Sequence, residues 1–216
     1  SGLFFFCSMS TAAAQQSYLI DWDTAGEEAV QHLVELVQIN TTNPPGNESL
    51  VVEYLEAELT AEGIQSEVFA LEESRGNLVA RISGNGSKRP LLIMGHTDVV
   101  GVQPEKWYAD PFSGNREDGF IYGRGTLDDK DNLAAGLMIV KLLKRYGVEL
   151  DRDIILLAEA GEEGTPEVGI NFMVEQHYDK IAAEYALAEG GQSVIRDKKV
   201  STVGIETTEK MQRRMM

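Results

Sequence analysis

Cysteine is nearly absent from this sequence. Cys7 stands alone, which excludes an internal disulfide framework and any zinc knuckle built on cysteine. Histidine is scarce, at 3 residues, and basic side chains number 19 against 35 acidic ones. The formal charge of -16 repels phosphate backbones and anionic headgroups, so neither nucleic acid nor a membrane surface is the expected partner. No stretch approaches the ~20 consecutive apolar residues that a spanning helix needs. Internal repeats and low-complexity tracts are also missing. What is present is a chain of 216 residues, 43% hydrophobic, with enough material for a substantial globular core. Any metal it binds has to be held by His, Asp and Glu.

The first residues differ in character from the rest. The apolar run GLFFFCSMS precedes STAAAQQ, where Ala12 and Ala14 supply the small residues of a cleavage pattern before Gln15. Residues 1–16 therefore read as the remnant of an export signal, implying a periplasmic or secreted protein. The alternative is an apolar tail on a cytoplasmic one. Residues 17–216 form the body of the molecule.

From Thr24 onward the pattern alternates. Thr24 with Glu27 has the spacing of a capping box, and Val30, Leu33, Val34 and Val37 follow at helical intervals. NTTNPPGNE ends that helix; a second one carries Val52, Leu55 and Leu59 and stops at Gly63. SEVFAL and NLVARIS read as strands, and GNGSKRP as a turn. Three apolar runs come next: LLIMG from Leu91, IILLAEA from Ile154 and YALAE from Tyr185. The helical patterns NLAAGLMIVKLLKRYG and VGINFMVEQH lie between them. Apolar strands alternating with helices predict an α/β fold, a three-layer sandwich with a largely parallel central sheet.

In open parallel sheets ligands bind beyond the carboxyl ends of the strands. His96 and Asp98 follow the first run, Glu162 and Glu163 the second, and Glu189 ends the third; GRGTLDDKDN places Asp128 and Asp129 just before a helix. One imidazole among several carboxylates on one rim calls for a divalent cation. Each piece alone has a plainer reading. His96 can be a satisfied strand-end histidine, Asp98 a turn carboxylate, GEEG a solvated turn, and either Asp128 or Asp129 a helix cap. GRGT lacks the Lys-Ser/Thr ending of a phosphate loop, which excludes that mode of nucleotide binding. His32 and His177 read as surface residues, and Arg124 as a group that secures its loop.

Taken in series, GHTDVV, WYADPF with DGFIYGRGTLDDK, EAGEEG and ALAEGG resemble the zinc-dependent exopeptidase family. Its members include aminoacylase, acetylornithine deacetylase, succinyl-diaminopimelate desuccinylase and glutamate carboxypeptidase. The resemblance implies a metallohydrolase that cleaves an amide bond of a small peptide or N-acyl amino acid, with two Zn2+ per site and Co2+ or Mn2+ as possible substitutes. It implies that His96 and Glu189 ligate one zinc, Glu163 the other, and that Asp128 bridges both. Glu162 is then the general base and Asp98 orients His96. The family continues into a smaller lid domain, which is also its usual dimer contact, and returns with a last metal-binding histidine. No histidine follows His177 here. The expectation is therefore an N-terminal part of the catalytic domain, inactive alone, with a possible homodimer formed through the lid. The alternative is a metal-binding or interaction domain without catalysis.

Overall fold

Side chains on neighbouring strand positions point to opposite faces, and in this protein each face is covered by helices. The computed structural model describes residues 18–190, 192–196 and 198–204. The segment 1–16, with its expected export signal, lies outside the described residues. Among those described, no helix is long and apolar enough to cross a membrane.

The chain runs α1 (Trp22–Gln38), α2 (Ser49–Ala61), β1 (Ser66–Ala70), β2 (Gly76–Ile82), β3 (Leu91–His96), β4 (Asn115–Glu117), β5 (Phe120–Tyr122), α3 (Lys130–Arg145), β6 (Ile154–Glu159), α4 (Ile170–Gln176), α5 (Tyr178–Ile181), β7 (Tyr185–Leu187), β8 (Gln192–Arg196) and β9 (Lys199–Gly204). The main sheet has the order β1-β2-β6-β3-β7. The three apolar runs pair in parallel, as the sequence predicts: β3 lies between β6 and β7. The strands from SEVFAL and NLVARIS extend the sheet antiparallel, so the sheet as a whole is mixed.

Period-two alternation divides the core. Leu78, Ala80, Ile93, Ile154, Leu156 and Ala158 face α1, α2 and α3, where Leu36, Leu55, Leu59, Leu133 and Leu137 are buried. Val79, Leu92, Ile155 and Leu157 face the other way, against Phe172, Met173 and Ile181 of α4 and α5. This is the expected three-layer arrangement. Its parallel half brings the carboxyl ends of β3, β6 and β7 to one edge.

Several details depart from the sequence reading. The cap of α1 is Asp21, whose Oδ1 accepts from the Thr24 amide at 3.1 Å, so the helix begins earlier than a Thr24 cap would place it. An aspartate at that position satisfies a free amide and complements the helix dipole. The hairpin β4–β5 was not foreseen, although Asp118-Gly119 at its turn, both at positive φ, is a hairpin signal. His32 is buried, not on the surface: its Nε2 accepts from Lys141 at 2.9 Å and its Nδ1 meets the Tyr54 hydroxyl at 2.6 Å. His177 is half-buried against Phe69 and Phe172.

Candidate metal centre

β3 ends in His96, which is 1% exposed. Its Nδ1 faces the Asp98 main-chain carbonyl at 3.0 Å and the Asp98 Oδ1 at 3.4 Å. A proton on Nδ1 donated to that carbonyl leaves Nε2 pointing out over the sheet edge. There it meets Asp128 Oδ1 at 2.9 Å and Glu189 Oε2 at 3.5 Å. Asp128 belongs to the loop before α3 and its side chain is 60% exposed; Glu189 follows β7.

Asp98 fastens three segments together. It is fully buried, its Oδ1 accepts from the Glu162 amide at 3.1 Å, and its Oδ2 accepts from the Glu163 amide at 3.1 Å and from Asn43 Nδ2 at 2.8 Å. One carboxylate thus holds the GEEG turn against both the end of β3 and the NTTNPPGNE loop. Gly161 allows that turn: it has φ of 72°, and a Cβ there would lie 2.4 Å from the Thr165 carbonyl. The sequence alone did not single out Asn43, Thr165, Arg75 or Glu48. Asn43 also donates to the Thr165 hydroxyl at 2.9 Å, and Arg75 binds both carboxylate oxygens of buried Glu48 at 2.6 and 2.7 Å while donating to Thr165 at 2.8 Å.

The two consecutive aspartates point in different directions. Asp129 turns inward, 1% exposed, accepting from the His96 amide at 3.1 Å and from the Asn132 side chain, while Asp128 faces the His96 ring. Gly95 makes room for this packing, because a Cβ there would sit 2.8 Å from Asp129 Oδ2. Lys130, the next residue, is also buried, and its Nζ donates to the carbonyls of Leu36 at 2.8 Å and Ile39 at 2.6 Å, closing the end of α1. Burial lowers its ammonium to about 7.

Two donor sets converge on His96. Donor atoms of His96, Asp128 and Glu189 lie within 4.8 Å of one another, and so do those of His96, Glu162 and Glu163. Four carboxylates, Asp128, Glu162, Glu163 and Glu189, are therefore gathered around the His96 imidazole. A small recess of about 110 Å³ beneath them is lined by Met94, His96, Asp129, Glu159, Glu162 and Glu189. A wider groove of about 740 Å³ lies at the other end of β2, but its cations are already paired, Arg81 with Asp153 and Lys180 with Glu67.

The electrostatics describe crowded negative charge. Burial alone would lower the His96 imidazolium, but Asp98, Asp129 and Asp128 overcome it and push it up to about 10. Burial raises Glu163 and Glu189, and in both the neighbouring Asp128 adds to the effect. Burial lifts Asp129 to about 6 and Glu159 to about 7. Asp98 goes the opposite way: burial would raise it, yet the bonds from His96 and Asn43 hold it below the usual range. Carboxylates that resist ionisation beside a cationic imidazole form a site that a divalent cation would relieve.

Comparison with known proteins places these residues in context. Residues 92–212, more than half of the chain, match the family described as Peptidase family M20/M25/M40. Over 154 residues the chain is 36% identical to a protein of Staphylococcus epidermidis described as "Probable succinyl-diaminopimelate desuccinylase", covering 70% of this chain and 36% of that one. It is 32% identical over 141 residues to the N-formyl-4-amino-5-aminomethyl-2-methylpyrimidine deformylase of Bacillus subtilis, covering 63% of this chain and 33% of the relative. Among solved structures, an M20 family metallo-carboxypeptidase from Sulfolobus solfataricus superposes with a TM-score of 0.65 at 27% identity, over 76% of this chain and 37% of that one. The chain thus spans little more than a third of the length of these relatives.

Proposed function

The chain belongs to peptidase family M20/M25/M40, and from that membership we propose that its protein is a metal-dependent hydrolase acting on the amide bond of a small peptide or N-acyl amino acid. The observation that carries this reading is the pair of donor sets sharing His96 at the carboxyl edge of β3, β6 and β7. The names of the relatives support the bond type: a desuccinylase, a deformylase and a carboxypeptidase all cleave an acyl group from nitrogen.

The donor set fits zinc. One imidazole and three carboxylates are ordinary ligands for it, and cobalt or manganese are accommodated by the same chemistry. His96 and Glu189 would hold one ion, Glu163 the other, with Asp128 shared between them. When bound, such ions polarise the substrate carbonyl and lower the pKa of water from ~15.7 toward ~7.

The chain's own groups do the rest. Asp98 accepts at Nδ1 through its main-chain carbonyl, which fixes the tautomer of His96 and aims Nε2 at the rim. Its carboxylate holds the amides of Glu162 and Glu163, so the same residue sets the position of the ligand glutamate and of its neighbour. Glu162 acts as general base. It takes a proton from the attacking water and hands it to the leaving amine, a role that typically contributes ~10² to 10⁴-fold. Consecutive glutamates with separate tasks explain why GEEG carries two.

Turnover of N-succinyl and N-acetyl amino acids and of dipeptides by the full-length protein tests the proposal. Glu162→Gln should lower kcat by about 10² or more while zinc content stays at the wild-type level. His96→Ala should lose zinc and activity together. Unchanged turnover in either variant contradicts the assignment.

A further inference from the structure

One buried group in the recess has no role in the chemistry above. Glu159 closes β6, is 5% exposed, and its Oε2 has no hydrogen-bond partner among the described residues. Parallel pairing sets it opposite His96, and the two side chains leave the same face of the sheet. Both line the recess with Asp129, Glu162 and Glu189. The carboxylates that meet the His96 ring are Asp98, Asp128 and Glu189, and Glu159 is not one of them.

The contrast with the neighbouring strand is instructive. Asn77 of β2 is equally buried, yet its amide donates to the Phe69 and Val168 carbonyls and its oxygen accepts from the Ala160 amide. Asn77 has the full set of partners expected of a structural polar group. Glu159 has none at Oε2 among the described residues, and it ends a strand that is otherwise Ile, Leu and Ala. A buried carboxyl without a partner is costly, and packing alone would be served better by an apolar side chain. Positive charge arriving in the recess would offset that cost, because low polarisability there strengthens each interaction.

We propose that Glu159 is a positioning residue of the metal centre: a buried counter-charge behind His96 that does not ligate but tightens the hold of the rim on divalent cations. This rests on the metal-centre reading given above. The experiment is a zinc titration of metal-stripped full-length protein against a chromogenic chelator, for wild type, Glu159→Gln and Glu159→Leu, with thermal melts of the same samples in metal-free buffer. Both variants should bind zinc about 10- to 100-fold more weakly, the range found when a group supporting metal ligands is lost. Without metal Glu159→Leu should melt at or above the wild-type temperature, because an unpaired buried carboxyl has been removed, and Glu159→Gln close to it, because its amide takes over the unpartnered position. Wild-type zinc affinity in Glu159→Gln overturns the inference and leaves the metal centre standing. Metal-free variants that melt well below wild type assign Glu159 a structural role and also overturn it. A wild-type protein that takes up no zinc overturns both.

Discussion

Asn at position 98 would separate the structural work of Asp98 from its charge. In the native site Oδ2 accepts from Asn43 Nδ2 and the Glu163 amide, and Oδ1 accepts from the Glu162 amide. An asparagine has one acceptor oxygen. Its better orientation keeps that oxygen at the two-donor position and turns its NH2 against the Glu162 amide, donor facing donor. The cost is one charge-assisted bond, the weakening of two others and an unpaired amide, about 2–4 kcal/mol in all. Asp98→Ala deprives all three donors and should cost more, on the order of 4–6 kcal/mol, at the upper end for a single substitution. Urea unfolding of metal-free full-length protein reads both values, and the loss should appear at constant m. A change under about 0.5 kcal/mol for Asp98→Asn would refute the claim that this carboxylate fastens the GEEG turn to β3.

Three further outcomes follow from the same structure. Lys130→Met removes the Nζ donor from the Ile39 carbonyl and leaves the Leu36 carbonyl only the Ile39 amide, so it should destabilise by about 1–3 kcal/mol in equilibrium unfolding; no loss would contradict its role at the end of α1. Lys141 Nζ joins Glu28 and Glu58, both at 2.8 Å, to His32 between α1, α2 and α3, so Lys141→Met should cost about 1–3 kcal/mol, and the loss should shrink in the His32→Leu background, where part of the network is already gone. Acid should act through Glu28, which the Arg145 hydrogen bond, opposed by burial and aided by Lys141, lowers from 4.5 to about 2. Because the folded value lies below the unfolded one, this stabilisation is full above about pH 4.5 and is lost as pH falls toward about 2; melting temperatures should drop through that window, less steeply in Glu28→Gln.

Much of this architecture could be read from the chain because the relevant patterns are local. LLIMG and IILLAEA are apolar on both faces, which only a covered strand requires, and their polar endings put His96, Asp98, Glu162 and Glu163 on one edge. Glu189 ends the third run in the same way, Asp128 stands beside Asp129 in the loop before a helix, and the structure brings Glu189 and Asp128 to the His96 ring. Long-range partnerships were not legible. His32 looked like a surface residue because the groups that bury it, Tyr54 and Lys141, lie 22 and 109 positions away. Asn43 passed as part of a turn-rich loop, and its bonds to Asp98 and Thr165 exist only once the loop folds over the sheet edge. Glu159 ends an apolar strand motif, and an apolar pattern assigns no task to the one carboxyl within it. The antiparallel direction of β1 and β2 depends on which edge of β6 is free, something an apolar pattern does not encode.

The most direct test is amide hydrolysis by the full-length protein before and after removal of its metal. Dialysis against a chelator should abolish turnover of N-acyl amino acids and dipeptides, and added zinc should restore it in wild type but not in His96→Ala. Turnover indifferent to the chelator would contradict the claim that the carboxylates around His96 hold the ions on which the reaction depends.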